Sequence, residues 1–226
     1  MSHMKEKFNL TNRISKLREE VLEYSLKLAA SGMCPATWGN ISARDPESGL
    51  VVITPSGIPY EELTTSDLCV VDLDGEWLDC KWKPSSEIPL HLAMYREKSW
   101  VNGVVHTHSI YATAFAALGM EIPVVVATLA SGVGGAVPCT PYTRSGTEEF
   151  AKVAIDTMGD KTAVLLGNHG VVAVGENLND AYTVAELVEN AAKIYSISLS
   201  IGKPNILSDD ESKKIRKRYI TKYGQK

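Results

Sequence analysis

No stretch of this chain constrains its fold more than Val101-Asn102-Gly103-Val104-Val105-His106-Thr107-His108. The β-branched run reads as a buried strand. Strand side chains alternate faces, so His106 and His108 point the same way with Thr107 turned aside, and together they can chelate one metal ion. The chain has 5 histidines. One of them, His3, lies in the opening Met1-Ser2-His3-Met4, which reads as an expression remnant and is set aside, leaving a domain over residues 5–226. A third candidate ligand, His169, stands in Asn168-His169-Gly170, and a carboxylate, Glu87, in Ser85-Ser86-Glu87. An isolated H-x-H is weak evidence for metal, but a third imidazole in a Gly-flanked turn strengthens it. Three neutral imidazoles leave one position of a tetrahedral zinc ion open, as catalysis requires. Glu87 is the natural fourth participant, a ligand while the site is empty and a base once substrate displaces it. Taken alone it would be an ordinary glutamate at a helix N-terminus, favoured by the dipole.

At 226 residues and 44% apolar composition, the chain is expected to be a single globular domain that needs no disulfides. A net charge of -4 argues against a nucleic-acid partner. The basic stretch Lys213-Lys214-Ile215-Arg216-Lys217-Arg218 follows acidic Asp209-Asp210-Glu211, so it reads as the solvated face of a C-terminal helix. Cys34, Cys69, Cys80 and Cys139 form no C-x-x-C pair and are expected to be free thiols. With no apolar run of membrane-spanning length, the expectation is a cytoplasmic protein with no membrane partner.

Helical spacing of Ile14, Leu17, Val21, Leu22, Leu26 and Leu28 predicts an amphipathic helix over Thr11–Ala30, ending before Gly32. Strands are expected at Asn40–Arg44 and Leu50–Thr54 around a turn, and at Leu68–Asp72 paired with Glu76–Cys80 across Asp74-Gly75. Further helices are expected at Glu87–Glu97, Ile110–Leu118, Thr147–Met158, Leu178–Ile201 and from Ser208 onward, where Glu211 makes a capping box. Ala163–Leu166 and Val171–Val174 read as strands flanking a tight turn that holds His169. Helices and strands mix without regular alternation, which predicts a layered α/β fold around a mostly antiparallel sheet.

Three polar segments, Thr37-Trp38-Gly39-Asn40, Thr54-Pro55-Ser56-Gly57 and Ser85-Ser86, offer hydroxyls, an amide and glycine-freed N–H groups that can cradle a phosphate, the last at a helix N-terminus. Each alone would be an ordinary turn. In order along the chain, G-N-I-S, I-T-P-S-G, S-S-E, H-T-H and H-G resemble the class II aldolase/epimerase family, typified by bacterial L-fuculose-phosphate aldolase, from the first helix to Tyr223-Gly224. The resemblance implies three α/β/α layers around a largely antiparallel nine-stranded sheet, and a homotetramer with active sites at subunit interfaces. It implies one zinc ion per subunit on His106, His108 and His169, with Glu87 as the catalytic carboxylate. Phosphate-binding positions match Gly39, Asn40, Ser56, Gly57, Ser85 and Ser86. The implied reaction is reversible, zinc-dependent cleavage of a ketose 1-phosphate to dihydroxyacetone phosphate and an aldehyde, with zinc as Lewis acid and Glu87 moving the proton. The same imidazoles would accept cobalt or manganese to some degree.

The chain departs from the fuculose aldolase pattern where a proton-donor tyrosine falls on Ala127. Tyr223 matches a C-terminal catalytic tyrosine that reaches a neighbouring subunit's site, and Tyr111 and Tyr142 are weaker substitutes. With the aldehyde pocket altered, the expected substrate is L-fuculose 1-phosphate or, as its competitor, a related deoxy- or methylthio-pentulose 1-phosphate. Three alternatives share the fold. An L-ribulose-5-phosphate 4-epimerase would carry S-S-D at the S-S-E position and an acid where Ser131 stands. A methylthioribulose-1-phosphate dehydratase would share the zinc ligands. A non-catalytic adducin-like interaction module would lack these histidines.

Overall fold

The structure, a computed structural model, describes the backbone of residues 2–223 and the side chains of residues 10–223; the opening Met1–Met4 lies outside the residues with described side chains. A long first helix, α1 (Ser2–Ser31), precedes β1 (Gly39–Arg44), β2 (Val51–Ile53), β3 (Cys69–Val71) and β4 (Trp77–Asp79). Then come α2 (Ile88–Glu97), β5 (Gly103–Thr107), α3 (Ile110–Ala117), α4 (Ala127–Val133) and α5 (Glu148–Met158). The chain closes with β6 (Ala163–Leu166), β7 (Gly170–Gly175), α6 (Leu178–Ile201) and α7 (Asp209–Lys222).

The strands form one sheet in the order β4-β3-β2-β1-β5-β7-β6, and every pairing is antiparallel. Alternation assigns its two faces. Ile41, Val105, Val171 and Ala173 pack with α1, α3, α4 and α6, while Val104, Val172, Val174 and Leu166 pack with α2 and α5. Three layers result, because an antiparallel sheet with apolar residues on both faces must be covered on both. His106 shares the parity of Val104, so it faces the α2 and α5 layer. The register Asn40↔His106 and Ser42↔Val104 puts two polar residues of β1 on that same face.

Nine strands were expected, and the described residues form 7. Around Ile122, Val137 and Cys139 the chain makes only isolated bridges, Ile122↔Val137 and Cys139↔Leu165. Pro123, Pro138 and Pro141 interrupt these stretches, and proline has no N–H to extend a ladder. Val124-Val125-Val126 leads into α4, a 7-residue helix absent from the sequence expectations, capped by Gly134 in the left-handed region at φ 95°. The other expected elements are present with ends shifted by a few residues, save α1, which begins earlier. The four cysteines are free. No helix among the described residues is long and apolar enough to cross a membrane.

Candidate metal centre and active site

Three structural devices converge on one point. β5 delivers His106, fully buried, whose Nδ1 lies 2.9 Å from the carbonyl of Val171 on the adjacent strand. A carbonyl only accepts, so Nδ1 carries the proton and Nε2 turns its lone pair inward. His108 lies just past the strand end, where its backbone N–H donates to the Met33 carbonyl at 3.1 Å. His169 sits in the β6–β7 turn, which Asn168 tightens by adopting φ 55°. Its ring packs against Phe150 of α5 at 5.5 Å. The Nε2 of His106 lies 2.9 Å from that of His108 and 3.2 Å from that of His169.

Glu87 closes the group from the N-cap of α2. Its Oε2 is 3.0 Å from His106 Nε2 and its Oε1 is 3.0 Å from His169 Nε2. The four ligand atoms lie within 4.8 Å of one another. Oε1 is buried and accepts no hydrogen bond, an arrangement that costs free energy unless something positive meets it. A cation among these atoms would answer every inward lone pair at once, and three imidazoles with one carboxylate suit a divalent transition metal. The residues present fit a metal.

The electrostatics agree. Burial alone would raise the Glu87 carboxyl, but His106, His169 and the Asn40 amide outweigh it and hold Glu87 well below the usual carboxylate range. Burial opposes charge on His106 too, yet the Glu87 carboxylate lifts it above an ordinary histidine. A metal ion would stand where that proton stands. His108 is pushed down to about 3 by burial and by its two imidazole neighbours, so it is neutral and ready to ligate at neutral pH.

The expected phosphate-binding positions fall in two groups. Ser56, Gly57, Ser85 and Ser86 come together because Pro55 bridges Pro84, with Ser56 N–H on the Lys83 carbonyl at 2.9 Å and Ser85 N–H on the Thr54 carbonyl at 3.1 Å. Gly57 adopts φ +72°, where glycine is favoured. Gly39 opens β1, and a Cβ there would strike Cys34 Sγ at 2.2 Å. Asn40 differs: its side chain is buried and donates from Nδ2 to Glu87 Oε2 at 2.9 Å. Tyr223 lies apart from the cluster, at the end of α7, its ring 4.9 Å from Tyr219. It lines a groove with Ala127, Ser131 and Tyr219 that contains none of Glu87, His106, His108 or His169.

Sequence reasoning missed two features of this site. One is Trp38, exposed beside the centre with its ring edge-on to His108 at 5.9 Å. The other is a buried polar group behind Glu87, formed by His91, Ser42 and Tyr95. The spacing Glu87, His91, Tyr95 places these three on one helix face, and that was the signal available.

The sequence pattern of the Class II Aldolase and Adducin N-terminal domain matches residues 19–196. A 5-deoxy-D-ribulose 1-phosphate aldolase of Bacillus thuringiensis serovar kurstaki is 43% identical over 94% of this chain and 99% of its own length. An L-ribulose-5-phosphate 4-epimerase of Salmonella paratyphi B is 36% identical over 93% of this chain and 96% of its own. Among solved structures, an L-fuculose 1-phosphate aldolase superposes with a TM-score of 0.88 and 35% identity, over 91% of this chain and 96% of that one. With its fold and its sequence both matched over most of its length, the chain belongs to the class II aldolase and adducin N-terminal domain family.

Proposed function

We propose that the protein is a metal-dependent aldolase that reversibly cleaves a ketose 1-phosphate to dihydroxyacetone phosphate and an aldehyde. The observation that carries this reading is the convergence of Glu87, His106, His108 and His169 within 4.8 Å. The ion is zinc, held by the three imidazoles, and when bound it supplies Lewis-acid polarisation of the substrate's carbonyl and hydroxyl oxygens. Glu87 takes up and returns the proton at the carbon next to the carbonyl once substrate has displaced it from the imidazoles. Ser56, Gly57, Ser85 and Ser86, with the backbone at Gly39 and Asn40, hold the phosphate and so fix the reacting carbon over the centre. The enzyme works in the cytoplasm as a homotetramer, and Tyr223 serves the site of a neighbouring subunit as proton donor to the aldehyde oxygen.

The 43% identity to an enzyme named for 5-deoxy-D-ribulose 1-phosphate supports a deoxypentulose phosphate as substrate. So does Ala127, which replaces a bulky phenol and leaves a smaller, more apolar wall. The 36% identical epimerase favours a second reading, 4-epimerisation of a pentulose phosphate. Against it stand Glu87 in place of aspartate and Ser131 in place of an acid; the Ser131 backbone carbonyl is moreover bound by the Arg216 guanidinium.

The deciding assay is release of dihydroxyacetone phosphate from 5-deoxyribulose, L-fuculose, L-rhamnulose and methylthioribulose 1-phosphates, with zinc-loaded and EDTA-treated protein. Zinc-dependent release, greatest with 5-deoxyribulose 1-phosphate, is expected. Release from none of the four would overturn the aldolase reading, and a ribulose-5-phosphate to xylulose-5-phosphate conversion would replace it.

A further inference from the structure

Behind Glu87 two short ladders face each other inside the α2 layer. β1 contributes Asn40 and Ser42, two residues apart on one face, and α2 contributes His91 and Tyr95, spaced by four on from Glu87. His91, Ser42 and Tyr95 are all 1% exposed or less. Tyr95 belongs to one buried apolar cluster with Val51, Val71, Leu90, Met94 and Val104. Polar groups placed so deep are destabilising unless each finds a partner, and here each does. Tyr95 Oη lies 2.7 Å from Ser42 Oγ, which lies 2.6 Å from His91 Nδ1. His91 Nε2 meets Asn40 Oδ1, and Asn40 Nδ2 donates to Glu87 Oε2 at 2.9 Å.

The direction of every hydrogen bond follows from the carboxylate end. An ionised carboxylate only accepts, so the amide must present its NH2 to Glu87 and its oxygen to His91. His91 must then carry its proton on Nε2, which leaves Nδ1 to accept from the Ser42 hydroxyl, and Ser42 in turn accepts from Tyr95. Burial drives the His91 pKa down to about 3, so the ring is neutral and Nδ1 is the acceptor. The Nε2–H donor and the Glu87 carboxylate act together on the Asn40 amide, each selecting the same face at its own end. Rotated by half a turn, Asn40 would offer its oxygen to Glu87 and repel it.

Building on the aldolase reading above, we infer that His91 is a positioning residue for the catalytic base: it locks the Asn40 amide so that a donor, and not an acceptor, faces Glu87. Asn40 accordingly serves the base through its side chain and contributes only backbone to phosphate binding. The oxygen that Asn40 holds, Oε2, is the one that also approaches His106 Nε2 at 3.0 Å. The amide therefore sets the orientation of the carboxylate oxygen that faces the imidazoles.

The test combines a spectroscopic and a kinetic measurement. In zinc-loaded wild-type protein labelled with 15N-histidine, the His91 signals should report a neutral ring protonated at Nε2; a ring protonated at Nδ1, or a charged ring, would overturn the inference with no mutation made. His91→Leu should lower kcat by about 10–100-fold while leaving KM for the ketose phosphate within about twofold. His91→Gln, whose amide can supply a donor to Asn40, should recover most of that loss. A raised KM with unchanged kcat would assign Asn40 to the phosphate and overturn the inference, as would a His91→Gln variant no better than His91→Leu. Glu87→Gln serves as the control on the underlying reading: if it keeps wild-type turnover, Glu87 is not the base and the aldolase mechanism fails independently of His91.

Discussion

At the residue scale the site depends on close backbone packing around its ligands. Gly170 follows His169, and a Cβ there would lie 2.4 Å from the Thr107 carbonyl oxygen and 3.2 Å from His106 Cε1. Neither obstacle is the free end of a flexible chain, so Gly170→Ala must push β7 away from β5 or tilt the His106 ring. We expect at least a tenfold loss of zinc affinity in a competition titration with a chromogenic chelator, and a stability loss of about 1–3 kcal/mol. Unchanged zinc affinity would mean that the ring position does not depend on this contact. The four centre residues were legible in the sequence because their geometry is local: a strand fixes His106 and His108 by parity, and a Gly-flanked turn fixes His169. His91 was not legible. A single histidine in an apolar helix reads as core, and its partners Asn40 and Ser42 become visible only when β1 and α2 are packed together. Asn40 was expected among the phosphate-binding residues from its own sequence segment, and its side-chain contacts to Glu87 and His91 became visible only in the packed structure.

Elements tell the same story. Helices with strong caps were predicted well: the Thr147 hydroxyl accepts from Phe150 N–H at 3.1 Å and Ser208 from Glu211 N–H at 3.3 Å. α4 had no such signal, being 7 residues long and preceded by three valines, so its helicity comes from packing on α6 and α7 and not from propensity. The β3–β4 hairpin depends on Asp67, whose carboxylate accepts from Lys81 Nζ and Trp82 Nε1 at 2.8 Å each and from Thr64 Oγ1 at 2.6 Å. The Lys81 contact comes first among these in holding the Asp67 pKa well below an ordinary aspartate. A carboxyl with a depressed folded-state pKa adds stability that is fully present above its unfolded pKa of about 4 and fades as pH falls below it. Thermal melts of wild type and Asp67→Asn should therefore differ most at pH 5–7 and converge toward pH 2. A gap that stays constant with pH would mean that shape, and not charge, anchors the hairpin.

For the whole molecule, the groove between α4 and α7 poses the question of assembly. Tyr223 is 68% exposed and lines that groove beside Ala127 and Ser131. Since this groove excludes Glu87 and the three histidines, a catalytic Tyr223 must act on the centre of another subunit. Ile110, Leu118 and Tyr142 are each at least 70% exposed, and apolar side chains so presented are commonly covered in assemblies. Two inactive variants should then complement each other. Glu87→Gln leaves a subunit that can still lend Tyr223, and Tyr223→Phe leaves one that still has its base. Co-expressed in equal amounts they should form hybrid tetramers in which about a quarter of the sites pair an intact Glu87 with an intact Tyr223. Aldolase activity of the purified hybrids should therefore exceed the mean of the separate variants several-fold. Sedimentation should give a particle of about four times 24.6 kDa. Activity no higher than that mean, from hybrids of that mass, would confine Tyr223 to a structural role and leave the proton donor to the aldehyde to be sought nearer the metal.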